Sequence, residues 1–114
     1  VTLGQAIMIR TANVTPLPAG ATPISASHSL GYVPFYAVLE FVCIVAEYGY
    51  SVGDVLKIYA TWTGTTSSPN STWVTATQVG ATQATSQSFV IYNKSTGNPV
   101  TPTAANWAYR FVLR

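Results

Sequence analysis

The chain has few charged residues, and this shortage limits what the protein can be. Asp, Glu, Lys and Arg make up 7% of its 114 residues, whereas an average soluble domain carries about 25%. Its five basic residues form no run, so the sequence predicts no nucleic-acid partner. So few charges leave little to keep the surface of a monomer solvated, which predicts an oligomer that hides part of its surface.

Residues that carry chemistry are also scarce, with one cysteine, one histidine and three carboxylates. A lone cysteine excludes a disulfide within the chain, and this set cannot supply a metal cluster with sensible ligand spacing. A catalytic triad would need His28, Asp54 and an unidentified serine, and no nucleophile-elbow motif accompanies them. Glu40 and Glu47 fall on opposite faces of one strand, so they cannot flank a glycosidic bond. We therefore predict a non-enzymatic protein without a metal or cofactor.

Membrane and secretion signals are missing from the sequence as well. No stretch reaches the roughly 20 apolar residues that a membrane-spanning helix needs, so no membrane insertion is predicted. The segment Val1–Arg10 lacks the basic start and apolar stretch of a signal peptide. The chain does not start with methionine, and we expect it to be the C-terminal part of a longer protein.

The most prominent feature that is present is the apolar segment Phe35–Glu47. It is rich in β-branched and aromatic residues, which favours a strand. As a strand it would be apolar on both faces, whereas one face of an antiparallel sheet is usually polar. We therefore predict a central strand, or one whose outer face meets another subunit. Cys43 lies inside this segment, and we expect it to be a buried small apolar residue.

The remaining segments alternate between apolar and polar residues or are short apolar runs, and Gly, Pro, Ser and Asn separate them. Seven or eight short strands without an amphipathic helix predict an all-β fold, an antiparallel, jelly-roll-like β-sandwich that forms one domain over residues 1–114. Besides the segment Phe35–Glu47, the predicted strands are Thr2–Arg10, Thr22–His28, Val55–Thr63, Trp73–Val79, Gln87–Asn93 and Asn106–Arg114. Ser95–Ala105 is predicted as a long turn.

Two polar residues are expected to serve structure or assembly. Glu40 would be costly to bury without a cation, and Arg110 on the last strand is its natural partner, within the chain or across a subunit boundary. His28 lies in a turn, where a histidine usually bonds the backbone. In a symmetric oligomer three copies of His28 could instead converge and bind a metal or an anion.

Aromatic residues are the best candidates for function. Trp107, Tyr109 and Phe111 share a face of the last strand and are expected in the core. Other aromatic side chains lie at or near turns rich in Ser, Thr and Asn, where they suit either sugar binding or a subunit interface. The candidate ligand-binding residues are Tyr48, Tyr50, Trp62, Asn70 and Trp73.

Several turn-and-strand motifs resemble those of the C-terminal β-sandwich domains of bacteriophage and prophage tail fibres and related virion spikes. The first motif is His-Ser-Leu-Gly-Tyr-Val-Pro at His28–Pro34, where Ser29 replaces the family's usual Gly. The apolar strand and Ala46–Asp54 follow, and later Asn93–Gly97 and Thr103–Arg110. The resemblance covers roughly residues 26–114, and its motif residues are structural.

The resemblance implies a virion protein that is exposed outside the host cell as a homotrimer at the tip of a fibre. It implies recognition of a host-surface glycan or another receptor, and contact with other virion proteins. The alternative is a structural part of the virion, such as a capsid-decorating, head-fibre or trimerising cap domain. A polysaccharide depolymerase is disfavoured because paired acids are scarce.

Overall fold

The computed structural model describes residues 8–18, 24–58, 71–82 and 89–114. These ranges form nine strands in antiparallel sheets, and they contain one 3₁₀ turn (Ala104–Asn106) and no α-helix. No helix in these ranges is long and apolar enough to cross a membrane. The strands are β1 Ile9–Arg10, β2 Ile24–Ser27, β3 Ala37–Cys43, β4 Val55–Ile58, β5 Ser71–Val74, β6 Gln78–Thr82, β7 Ile91–Tyr92, β8 Pro99–Val100 and β9 Trp107–Leu113.

The largest sheet has the strand order β1-β9-β3-β4. β3 lies between β9 and β4, and all of its residues after Ala37 are buried. The prediction of a central strand in this segment is therefore confirmed. The register places Glu40 directly opposite Lys57 on β4 and Arg110 on β9.

A second sheet has the order β2-β6-β5. The predicted single strand Trp73–Val79 is wrong, because the chain reverses within it. The Thr75 hydroxyl accepts hydrogen bonds from the amides of Thr77 and Gln78, at 3.2 and 2.9 Å. Such side-chain bonds to nearby backbone are typical of turns, and here they form the hairpin loop between β5 and β6.

The third sheet is the two-stranded β7-β8 hairpin. Its loop is closed by Asn93, whose side-chain oxygen accepts hydrogen bonds from the amides of Ser95 and Thr96 at 2.8 and 3.1 Å. Gly97 has a φ of 76°, a conformation that glycine adopts without steric cost. The segment Ser95–Ala105, predicted as a long turn, thus also contains β8 and the start of the 3₁₀ turn.

One hydrophobic core joins the three sheets. Buried residues of β3 and β9 share a cluster with Ile24 of β2, Val79 of β6 and Ile91 of β7. Phe41 packs edge-on against Phe89, with ring centroids 5.2 Å apart. Trp107 and Phe111 are fully buried in this core, as the alternation of the last strand predicts, whereas Tyr109 on the same face is only half-buried. Cys43 is buried as well.

The bounds of the predicted strands needed correction. β3 is shorter than Phe35–Glu47, because after Cys43 the amides of Ile44 and Val45 both donate to the Asn106 carbonyl oxygen instead of continuing a ladder. The strand count is nine in the described ranges rather than seven or eight. Most of the first predicted strand (residues 2–7) and the end of the fourth (residues 59–63) lie outside the described residues.

Candidate ligand-binding cleft

The site is built on a tight turn that follows β3. Glu47 and Tyr50 exchange backbone hydrogen bonds, at 3.2 and 2.9 Å, and both residues between them have positive φ, 55° at Tyr48 and 83° at Gly49. Two central residues with positive φ define a type I′ turn. A Cβ on Gly49 would lie 2.5 Å from the Ser95 hydroxyl oxygen, so only glycine fits where the turn meets the β7-β8 loop.

Glu47 anchors this turn to the segment that leads into β9. Its carboxylate accepts hydrogen bonds from the Thr103 amide at 2.8 Å, the Asn106 side-chain amide at 2.6 Å and the Trp107 indole N–H at 3.0 Å. Burial raises the pKa of Glu47, but hydrogen bonds from Thr103, Trp107 and Asn106 outweigh burial and hold the pKa below its ordinary value. The carboxylate is therefore stabilised by neutral donors.

The Tyr50 side chain extends from the turn to β7. Its ring packs edge-on against Trp107, with centroids 5.6 Å apart, and its hydroxyl donates to the Tyr92 carbonyl oxygen at 2.7 Å. Burial and the negative charge of Asp54 raise the pKa of the Tyr50 hydroxyl. Tyr50 therefore stays a neutral phenol that bridges the turn and β7.

A cleft of about 240 Å³ opens beside Tyr50, between β4 and β7. Leu56, Ile58 and Ile91 provide apolar surface, while Tyr50 and Tyr92 contribute aromatic rings. Lys57 also lines the cleft, but its ammonium pairs with Glu40, and strand alternation places its side chain on the sheet face opposite Leu56 and Ile58. The Tyr92 side chain is 56% exposed. We call this site the β4–β7 cleft; Val90 completes its lining. Its aromatic and apolar groups are suited to binding a small ligand that has an apolar face.

A row of charges crosses the large sheet on the face opposite Leu56 and Ile58. Lys57 Nζ lies 2.6 Å from Glu40 Oε2, and Arg110 Nε lies 2.8 Å from Glu40 Oε1. Burial raises the pKa of Glu40. The hydrogen bonds and positive charges of Lys57 and Arg110 outweigh burial, so the pKa of Glu40 lies below its ordinary value. The ion pair that the sequence predicts between Glu40 and Arg110 is present within one chain, and Lys57 joins it.

The structure separates Tyr48, Tyr50 and Trp73, the three described residues among the five predicted to bind ligand. Tyr50 alone among the described ones lines the cleft. The Tyr48 hydroxyl donates to the Thr101 carbonyl oxygen at 3.1 Å, and the Trp73 indole covers Gly80 on the neighbouring strand so closely that a Cβ there would clash with it. Both make contacts that support the fold. Trp62 and Asn70 lie outside the described residues.

His28 bonds the backbone with both ring nitrogens. Its Nε2 lies 2.8 Å from the Thr75 carbonyl oxygen, and its Nδ1 accepts from the Leu30 amide at 3.3 Å. A carbonyl oxygen only accepts and an amide only donates, so this geometry places the proton on Nε2. The ring connects the end of β2 to the β5-β6 loop, which is the role predicted for a turn histidine.

Reasoning from the sequence missed Glu47, Lys57 and Tyr92 as site residues. Glu47 was detectable only as a charge at the end of an apolar segment, beside Tyr48 and Gly49. Lys57 interrupts an otherwise apolar strand, and the pairing of β3 with β4 is needed to connect it to Glu40. No local signal marks Tyr92, because the cleft forms between strands that lie far apart in the sequence.

Within the described ranges, no group of three or more His, Cys, Asp or Glu side chains is placed to hold a metal ion. No family model, no curated protein and no solved structure matches the chain.

Proposed function

We propose that the chain is a receptor-binding domain of a bacteriophage fibre that attaches to a glycan or another receptor on the host surface. The observation that carries this proposal is the β4–β7 cleft, in which Tyr50 and Tyr92 lie among apolar side chains. Tyrosine combines an apolar ring with a polar tip, and both suit a sugar. The resemblance of its turn-and-strand motifs to those of tail-fibre tips supports the same class of function.

A rigid support favours binding at this position. Glu47 bonds the 103–107 segment, Gly49 packs against the Ser95 loop, and Tyr50 bonds Tyr92. Each contact limits movement of the turn that carries Tyr50. A site held in place before the ligand arrives loses less entropy on binding.

The proposed assembly is a homotrimer of β-sandwiches. The single core shared by the β1-β9-β3-β4 and β2-β6-β5 sheets supports the sandwich, and the low content of charged residues supports burial of surface between subunits. Three linked sites would gain avidity over one site.

The test is adhesion of the purified domain to intact candidate host bacteria. We expect saturable binding that soluble surface glycan from the same host competes away. Tyr92→Ala should weaken adhesion at least about tenfold, while Tyr32→Ala, which removes an exposed tyrosine outside the cleft, should leave it unchanged. Absence of adhesion to every susceptible host would overturn the proposal.

A structural role in the virion is the second candidate, and exposed apolar side chains favour it. Val33 and Phe35, 56% and 73% exposed, precede β3, and Val45 and Val52, 50% and 68% exposed, lie beyond its other end. Side chains of this kind are suited to burial between subunits or against other virion proteins.

The oligomeric state in solution tests whether these exposed apolar side chains serve assembly. If Phe35 serves assembly, Phe35→Lys should shift the mass measured by light scattering from oligomer to monomer while the circular dichroism spectrum is retained. Val52→Lys provides the matched change at the other end of the sheet. An unchanged mass for both variants would contradict the structural role of these side chains.

A further inference from the structure

Three of the chain's five basic residues lie on one face of the large sheet, around Val112. The pairing of β1 with β9 places Arg10 directly opposite Val112. Residues two apart in a strand point to the same face, so Arg110 and Arg114 share the face of Arg10. Diagonal neighbours of this kind lie about 7–8 Å apart, within reach of long side chains. We call Arg10, Arg110 and Arg114 the arginine cluster.

Arg114 extends the strand ladder one residue beyond β9. Its backbone exchanges hydrogen bonds with Tyr36, at 3.1 and 3.0 Å. Its guanidinium lies over the Tyr36 ring, with Cζ 5.6 Å from the ring centroid. A cation–π contact of this kind positions a guanidinium and leaves its charge in place. Arg114 and Arg10 are both exposed, so an anion in solution has access to them.

Within the arginine cluster, Arg110 has an acidic partner, because its Nε lies 2.8 Å from Glu40 Oε1. Every Asp and Glu of the chain is among the described residues. None of these carboxylates lies within ion-pair distance of the described side chains of Arg10 and Arg114. Two guanidinium charges on this face are therefore without a carboxylate partner.

The other two carboxylates, Glu47 and Asp54, lie toward the opposite end of β3. Ala37 begins β3 next to Tyr36, whereas Cys43 ends it, and the Cys43 amide donates to the Asp54 carbonyl oxygen at 2.9 Å. These two ends of β3 are roughly 20 Å apart at about 3.3 Å per residue. The arginine cluster therefore lies at a positive end of the sheet, well separated from these acids.

The chemistry of the cluster favours one class of anion. A guanidinium presents its N–H donors in a planar fork that matches the oxygens of a phosphate. A phosphomonoester carries a charge of about −1.5 to −2 at pH 7, whereas a carboxylate carries one negative charge. The two guanidinium charges without a carboxylate partner therefore match a phosphomonoester better than a carboxylate.

We propose that the arginine cluster binds a phosphomonoester group of a host-surface glycan, with Arg10 and Arg114 donating to its oxygens. This inference rests on the proposed receptor-binding function. It adds a second contact to the β4–β7 cleft, because the cluster lies on the sheet face opposite the buried Phe111 and Leu113. Two linked contacts would bind a glycan more tightly than either contact alone.

The test is a titration of the isotopically labelled domain with glucose 6-phosphate, followed by amide chemical shifts. We expect saturable shifts confined to Ile9–Arg10, Tyr36 and residues 112–114, with a dissociation constant on the order of 1 mM. Glucose should bind at least about tenfold more weakly, and glucuronic acid, which has a single charge, at least about threefold more weakly. Inorganic phosphate should displace glucose 6-phosphate, because the two share the group that the cluster recognises.

Matched variants assign the binding to the cluster. Arg10→Gln and Arg114→Gln should each weaken glucose 6-phosphate binding at least about threefold. Lys94→Gln removes the charge of an exposed lysine in the loop beside Gly49, outside the cluster, and should have no effect. Unfolding midpoints verify that each variant is folded. Equal binding of glucuronic acid, shifts elsewhere on the domain, or no shift with glucose 6-phosphate would each overturn the inference.

Adhesion to host bacteria, measured in parallel, identifies the source of the phosphate. Phosphatase treatment of the soluble host glycan should reduce its ability to compete with adhesion, and Arg10→Gln should weaken adhesion. If neither treatment has an effect, the cluster has no role in attachment, while receptor binding through the β4–β7 cleft stands. Sedimentation of the domain with phosphatidylglycerol vesicles, together with competition that phosphatase leaves unchanged, would assign the cluster to lipid and overturn the glycan. Glucose 6-phosphate binding without adhesion to any susceptible host would overturn the receptor-binding role itself.

Discussion

Glu40 lies in the middle of the apolar segment Phe35–Glu47 and Glu47 lies at its end, and the protein stabilises their charges in two different ways. Glu40 is 2% exposed and is paired with two cations on the flanking strands. Glu47 accepts three hydrogen bonds from neutral groups. Both carboxylates have a pKa below the ordinary value. The comparison shows that a chain with few basic residues can also stabilise a carboxylate with oriented N–H groups.

The two carboxylates also differ in what they connect. Glu40 joins residues whose strands already pair, so it adds charge balance to an existing sheet. Glu47 joins a turn to a segment 56 to 60 residues further along the chain. Glu47 therefore fixes the position of Tyr50 at the cleft, whereas Glu40 links the three central strands of the large sheet through Lys57 and Arg110.

The largest expected effect comes from removing Glu40. Glu40→Ala leaves the Arg110 guanidinium, whose side chain is 19% exposed, without its buried partner. We expect the free energy of unfolding to fall by about 3 kcal/mol, since breaking a buried ion pair typically costs 3–5 kcal/mol and this one is partly solvated. Urea unfolding at fixed protein concentration measures the loss, and a loss under about 1 kcal/mol would contradict the assigned role.

Glu47→Gln should have the next largest effect. The amide that replaces one carboxylate oxygen is a donor, so it must face a donor among Thr103, Asn106 and Trp107. Glu47 and Asn106 are half-buried and Thr103 is exposed, so we expect a loss of about 1 kcal/mol, the low end of the roughly 1–3 kcal/mol that an unsatisfied buried donor costs. Hydrogen exchange of the Trp107 indole should also accelerate. Glu40→Ala serves as the control, because it should leave the indole exchange rate nearly unchanged apart from its effect on global stability.

Acid should destabilise the protein through both carboxylates. Each folded pKa lies below its unfolded value, so each contribution is present above about pH 4.3, the ordinary pKa of glutamate, and is lost as the pH falls through the folded pKa. Unfolding measured between pH 7 and pH 2.5 should show this loss. The Glu47→Gln variant should lose less stability over that range than the wild type. If the free energy of unfolding had the same pH dependence in both proteins, this would contradict the hydrogen-bonded state of Glu47.

The smallest effect is expected from Lys57→Met. The Lys57 side chain is 48% exposed, and exposed ion pairs contribute about 0–1 kcal/mol. We expect a loss under about 1 kcal/mol that shrinks at 0.5 M salt, because salt screens the wild-type pair. A loss as large as that of Glu40→Ala would show that Lys57, rather than Arg110, carries most of the pairing.

The sequence by itself determined the elements with strong local patterns. Alternation in Asn106–Arg114 predicts the buried face of β9, and the doubly apolar segment around Phe41 predicts the central strand. The same reasoning identified Arg110 as the partner of Glu40, because a buried carboxylate needs a cation and the chain offers few. It failed at Trp73–Val79, where the amides of Thr77 and Gln78 donate to the Thr75 hydroxyl and make a turn within an alternating segment.

Tertiary structure alone decided the site. Tyr50 and Tyr92 are 42 residues apart in the chain, and nothing local indicates that a hydroxyl on one meets a carbonyl of the other. Lys57 and Glu47 likewise acquire their roles from strand register and from the packing of the turn against the 103–107 segment. The physical reason is that periodicity reports which side of an element is apolar, whereas a binding cleft depends on which distant elements the shared core brings together.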